Sequence, residues 1–157
     1  MNHPDIINQL GSNSPFIISV FVLYLLRNNT PYLWAFILGS LLNHWLNLLL
    51  KITIQDPRPR IINDPNYLGA QQYGMPSGHA QIAFFAITFY YLVKKHNTNT
   101  FLFSFLALSG IALSGITLYQ RYTYKYHTLE QLLVGAVMGS AFAQFIVNGT
   151  KQYLIDQ

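Results

Sequence analysis

Five apolar stretches near the length of a membrane span, joined by polar links, decide what this chain can fold into. They cover residues 14–26, 32–50, 79–93, 100–119 and 129–147. A helix needs about 20 mostly apolar residues to cross the hydrocarbon core. The first stretch reaches that length only by running back toward Ile7. Backbone in lipid must satisfy its own hydrogen bonds, so continuous apolar runs of this length read as helices. The rest of the composition agrees: only 9% of the 157 residues are charged, against about 25% in an ordinary soluble domain. The expected fold is all-α, a polytopic membrane helix bundle of about five transmembrane helices. It forms a single domain over residues 1–157.

Some chemistries are excluded at once. The chain has no cysteine, so it has neither disulfides nor thiolate catalysis. Its net charge of +4 is small and scattered, without the basic tract that grips nucleic acid, which is therefore not an expected partner. Residues 1–15 lack a charged n-region and a small-residue cleavage site. The first apolar segment is thus expected to be an uncleaved anchor.

The links are unequal. Residues 27–31, residues 94–99 and the C-terminal tail are short and plain. Residues 51–78 form a long link rich in Pro, Asp, Arg, Asn and Gly, and residues 120–128 hold Arg121, Lys125 and His127. Five spans put these two unusual links on one side of the membrane. That side carries Lys51, Arg58, Arg60, Arg121 and Lys125; the plain side carries Arg27, Lys94, Lys95 and Lys151. With Lys51, Arg58 and Arg121 set aside for chemistry, the positive excess lies on the plain side, which the positive-inside rule places in the cytoplasm. The unusual side is then extracellular or lumenal. Glycosylation at Asn28 or Asn148, each in a sequon, would invert this orientation. Gly135 and Gly139 form a GxxxG pair, and Ser109, Gly110, Ser114 and Gly115 line the fourth segment. Such residues let helices approach closely, here expected within the bundle rather than between two copies.

Three short stretches carry chemistry. In "KITIQDPRP", residues 51–59, Pro57 and Pro59 bracket Arg58 and limit its backbone. A guanidinium can grip two phosphate oxygens and an ammonium adds a point charge. In "YGMPSGHAQ", residues 73–81, Pro76 suits a helix start and Ser77 an N-cap. Gly78 lets a ligand approach the backbone, and the first amides of the helix attract an anion. His79 stands in that first turn. In "QRYTYKYHTLEQ", residues 120–131, Arg121 and His127 lie at the mouth of the fifth segment. Gln131, one turn beyond His127, can touch its ring. Tyr119, Tyr122, Tyr124 and Tyr126 read as an interfacial belt.

Each stretch alone has an ordinary explanation: a snorkelling lysine, a helix cap, an aromatic belt. Together they bring two histidines, two arginines and a lysine to one membrane face. Histidines can act as nucleophile and general acid, while cations and amides stabilise a transferring phosphoryl group. Asp56 and Asp64 read as loop residues without ligand partners, so no metal and no other cofactor is expected. The residues point to metal-independent phosphoryl transfer at the membrane surface. His44 lies about two turns below Lys51 in the second segment. It is expected to be neutral and hydrogen-bonded to Asn43 or Asn47.

These stretches resemble the signature of the type 2 phosphatidic acid phosphatase superfamily: K-x6-R-P, then P-S-G-H, then S-R-x5-H-x3-D. Lys51, Arg58 and Pro59 match the first part, and Pro76, Ser77, Gly78 and His79 the second. In the third, Arg121 and His127 match, while Gln120 replaces the serine and Gln131 the aspartate. Tyr73, Gly74, Met75, Gln81, Thr128 and Gln131 resemble the dolichyl-diphosphate phosphatase branch of that superfamily.

The resemblance implies a fold and a mechanism. The family core usually has six spans, of which this chain shows five, the absent one falling before the first motif. His127 would attack phosphorus and form a phosphohistidine. His79 would protonate the leaving oxygen and then activate water. Lys51, Arg58, Arg121, Ser77 and the Gly78 amide would hold the phosphate, and Gln131 would orient His127. The implied substrate is a lipid phosphate or diphosphate, foremost a polyprenyl diphosphate, in a membrane that would be endoplasmic reticulum or plasma membrane depending on source. Phosphatidate, phosphatidylglycerol phosphate or a sphingoid phosphate are alternatives, as is a catalytically silent scaffold. A transporter fits less well, because the polar residues gather at one surface. No oligomeric state is implied.

Overall fold

Each of the five apolar segments lies inside a helix longer than itself. A computed structural model describes residues 6–60, 68–94 and 100–154. Its helices are α1 (Ile6–Leu26), α2 (Thr30–Ile54), α3 (Gly78–Lys94), α4 (Thr100–Thr123) and α5 (Leu129–Leu154). Among the described residues there is no strand, only one bridge between Pro57 and Tyr73. By length and composition α1, α2 and α5 are each able to cross a membrane. Lys95 and Asp64 lie outside the described residues.

The bundle carries its polarity inside out. Phe16, Trp34, Leu41, Trp45, Leu49, Val137 and Phe145 face outward. Ser14, Asn43, Asn47, Gln81, Thr117 and Gln120 are buried. In water each Å² of that outer apolar surface would cost about 25 cal/mol; against lipid tails it costs nothing. Helix α3 is central and packs against all four others. Gly135 of α5 lies against the Ser77 backbone and Ala80, and Gly139 against the Gln81 carbonyl. The GxxxG pair thus serves α3–α5 packing within the chain. Away from the polar links, Phe36 stacks on Phe85 with centroids 5.7 Å apart and meets Phe89 edge-on at 5.2 Å.

A buried amide cluster ties α2 to α3. Gln81 Nε2 donates to Asn43 Oδ1 at 2.9 Å, and Asn47 Nδ2 donates to Gln81 Oε1 at 2.8 Å and to the Pro76 carbonyl at 3.2 Å. In lipid such bonds hold helices together because the amides have no water to turn to. His44 takes no part in it. The buried face of α2 is Phe36, Gly39, Asn43, Asn47 and Lys51, and His44, one residue off that stripe, is exposed. The expected packing role of His44 is therefore wrong: a step of 100° on a helix turns it outward.

Candidate active site

The polar ends of α2, α3, α4 and α5 meet at one end of the bundle, and the long link is folded against them. Gln55, at φ 54°, ends α2 in the left-handed region. Asp56 O then accepts the Gly74 amide at 2.7 Å, so the two ends of the long link are stitched together. This brings "KITIQDPRP" beside "YGMPSGHAQ".

Lys51, in the last turn of α2, is 1% exposed, and its Nζ donates to the Tyr73 carbonyl at 2.5 Å. Arg58 donates from Nε and Nη2 to the Gln71 carbonyl at 3.1 and 2.9 Å. Its Nη1 donates to the Tyr126 carbonyl at 3.1 Å and to His127 Nε2 at 3.0 Å. Arg121, at the end of α4, is buried; its Nη2 contacts His79 Nε2 and its guanidinium lies 5.0 Å from the Tyr126 ring centroid. The site therefore holds two histidine–arginine pairs. A turn through Lys125, at φ 59°, bends the chain after α4. The amides of Tyr126 and His127 both donate to the Arg121 carbonyl, at 3.0 and 3.2 Å. Tyr126 thus belongs to the site, whereas Tyr119 and Tyr122 are exposed as a belt would be.

Gln131 is fully buried and bonds in four directions. Its backbone amide donates to Thr128 Oγ1 at 3.2 Å, and its Oε1 accepts the Thr128 amide at 3.1 Å. These reciprocal bonds form a capping box that starts α5. The same Oε1 lies 3.1 Å from His127 Nδ1. A carbonyl oxygen can only accept, so Nδ1 carries the hydrogen and the lone pair of the ring is on Nε2. Gln131 Nε2 donates to Asp56 Oδ2 at 2.5 Å and to the Pro57 carbonyl at 2.8 Å. Asp56, a loop residue as expected, thus has Gln131 as a side-chain partner.

Ser77 precedes α3 as an N-cap would, but its hydroxyl does not cap. It is buried and has no hydrogen-bond partner among the described residues. The Ser77 amide donates to the Gln131 carbonyl at 3.0 Å, fixing the loop to α5. Burial, then the charges of Arg58 and Lys51, hold the His127 pKa far below the ordinary imidazole range, outweighing the raising effect of its bond to Gln131. The ring is neutral. A cavity of about 460 Å³ lies beside it, lined in part by Pro59, Tyr122, Lys125 and Glu130. Among the described residues no three His, Asp or Glu side chains are grouped as a metal site would need.

Two imidazoles and three cations are thus gathered at one end of the bundle. The sequence profile of the PAP2 superfamily matches residues 30–153. The chain belongs to the PAP2 superfamily. Among its relatives in that superfamily, human dolichyldiphosphatase 1 is 31% identical over 143 residues, covering 85% of this chain and 59% of the relative. Dolichyldiphosphatase 1 of Dictyostelium discoideum is 35% identical over 149 residues, covering 87% and 59%. Lipid phosphate phosphatase epsilon 1, chloroplastic, of Arabidopsis thaliana is 36% identical over 143 residues, covering 87% and 47%. The chain thus spans about three fifths of the length of the dolichyldiphosphatases it matches. No solved structure matches it.

Proposed function

We propose that this chain is an integral membrane phosphatase that hydrolyses a polyprenyl diphosphate to the monophosphate and inorganic phosphate. The observation that carries the proposal is the state of His127: neutral, its Nδ1 hydrogen committed to Gln131, and its Nε2 lone pair held by Arg58, a donor that a bound phosphate would draw to its own oxygens. In the first step Nε2 attacks the terminal phosphorus. The bond from phosphorus to the bridging oxygen breaks, and its electron pair leaves with the lipid monophosphate. In the second step Arg121 turns to the phosphoryl oxygens, His79 Nε2 takes a proton from water, the hydroxide attacks the phosphohistidine, and the His127 Nε2 leaves with its electron pair restored. Lys51, Arg58 and Arg121 balance the phosphoryl charge, with the Gly78 amide and the partnerless Ser77 hydroxyl as further donors. The active face is the non-cytoplasmic one.

Two observations support a diphosphate. Relatives named dolichyldiphosphatase match most of this chain, 85% of it in the human protein. And Arg121, which can only donate, faces His79 Nε2, so His79 stands in its base form. A phosphate leaves without a proton far more readily than an alkoxide does. The Arabidopsis relatives named lipid phosphate phosphatase motivate a second reading, a lipid phosphate monoester.

The deciding experiment is phosphate release by the purified protein and its His127→Ala variant from polyprenyl diphosphate, phosphatidate and phosphatidylglycerol phosphate. Release fastest from the diphosphate and lost in the variant is expected, with activity persisting in EDTA. Faster release from phosphatidate would overturn the substrate, and equal release by the variant would overturn the mechanism.

A further inference from the structure

We propose that Asp56 is a positioning residue for the phosphoryl-transfer step, acting on His127 at one remove through the side-chain amide of Gln131. The inference rests on His127 being the nucleophile, as proposed above.

The geometry of the amide leaves one orientation. The Thr128 N–H at 3.1 Å can only donate, so it faces Oε1; the Pro57 carbonyl at 2.8 Å can only accept, so it faces Nε2. Oε1 is thereby turned toward His127 Nδ1, and Nε2 toward Asp56 Oδ2 at 2.5 Å. The chain His127, Gln131, Asp56 is continuous, and Asp56 is held in it from behind by the Gly74 amide on its backbone carbonyl.

The chemistry needs such a group. When Nε2 bonds to phosphorus, the imidazole becomes cationic while keeping its Nδ1 hydrogen. The cations Arg58, Lys51 and Arg121 around it oppose that charge. A neutral carboxamide supplies only a dipole against it. A carboxylate on the far N–H of the amide polarises the carbonyl toward the ring and adds a full negative charge behind it. No proton moves along the chain, since the amide keeps both its hydrogens; the effect is electrostatic and orientational.

Asp56→Asn tests the charge alone, because the substituted side chain still offers an oxygen to Gln131 Nε2. Gln131→Glu, of the same length, puts a carboxylate on the ring but sets it against Asp56. The double variant Asp56→Asn with Gln131→Glu has one carboxylate and one amide, as the natural chain does, in exchanged places. All are assayed beside His127→Ala as full-length purified protein, with melting temperature recorded for each. Asp56→Asn should lower kcat by about tenfold to a hundredfold, taking as a guide the range for hydrogen-bond partners behind metal-ligating histidines, with KM little changed. Gln131→Glu should also be impaired, and the double variant should recover most of the natural kcat. Wild-type kcat in Asp56→Asn, or a double variant as poor as the product of the two single losses, would overturn the relay. A Asp56→Asn protein that melts early leaves the double-variant comparison as the arbiter. Retained activity in His127→Ala sinks the nucleophile itself; loss there with Asp56→Asn unimpaired sinks only the relay.

Discussion

The backbone of Gly74 lies against the side-chain amide of Gln131 with no room for a β-carbon between them. The two residues are 57 positions apart, yet one requires the other: Gln131 reaches Asp56 only because Gly74 has no side chain. Gly74→Ala should therefore push the amide off Asp56 and His127 together. A misplacement of about 1 Å at a reacting group costs about a hundredfold in rate. That loss is expected in kcat, measured by phosphate release at saturating lipid, with KM close to the natural value. A Gly74→Ala enzyme of normal kcat would mean the amide's place is unimportant.

Two helical glycines make a sharper contrast in stability. A β-carbon on Gly11 of α1 would overlap Cβ and Cγ of Gln120 on α4 and come 3.2 Å from the Ile116 carbonyl. Gly115, on the same α4, has nothing within 4 Å. Gln120 is fully buried, with Nε2 donating to Asn8 Oδ1 at 2.6 Å. Gly11→Ala should thus part α1 from α4 and cost about 1–3 kcal/mol, as overpacking does. Gly115→Ala should be neutral within about 0.5 kcal/mol. Melting temperatures in one detergent decide it; equal values for the two variants would contradict the clasp.

The same pair shows what was legible in the sequence and what was not. Gln120 stands where the superfamily pattern has serine, and in the sequence it reads only as a departure. In the structure it is a helix clasp, because its partner Asn8 is brought to it by packing over 112 positions. The helices and the meeting of the three motif stretches at one end of the bundle were legible, since apolar length and motif spacing are local. Asp56 was not, because its partner Gln131 lies 75 positions on and nothing local joins them. A local signal was present for the other half of that contact: T-x-x-Q over residues 128–131 is a capping-box pattern, which fixes where the Gln131 side chain turns. His44 was misread because apolar residues lie on every side of α2, so hydrophobic periodicity alone does not show its inner face. The spacing of Asn43, Asn47 and Lys51, four residues apart, does show it, and it excludes His44.

The neutrality of His127 makes a prediction about pH. Burial and the charges of Arg58, Lys51 and Arg121 disfavour the imidazolium. Its folded pKa lies below the free value of about 6.5, so the free protein keeps the proposed nucleophile unprotonated well into the acid range. Arg58→Gln removes the largest electrostatic contribution and leaves a hydrogen-bond donor in place. Losing a positive neighbour raises the pKa of a base, so His127 in the variant should take up its proton at higher pH. The rate should fall at every pH by about 10²–10³-fold, from loss of phosphoryl stabilisation. Beyond that uniform loss, the acid limb of kcat/KM should move toward neutral pH. Ionisation of the substrate is common to both enzymes and cancels in the comparison. Profiles of kcat/KM from about pH 4.5 to 8, spanning the free imidazole value, measure the displacement. Acid limbs that coincide would show that Arg58 does not set the protonation state of His127.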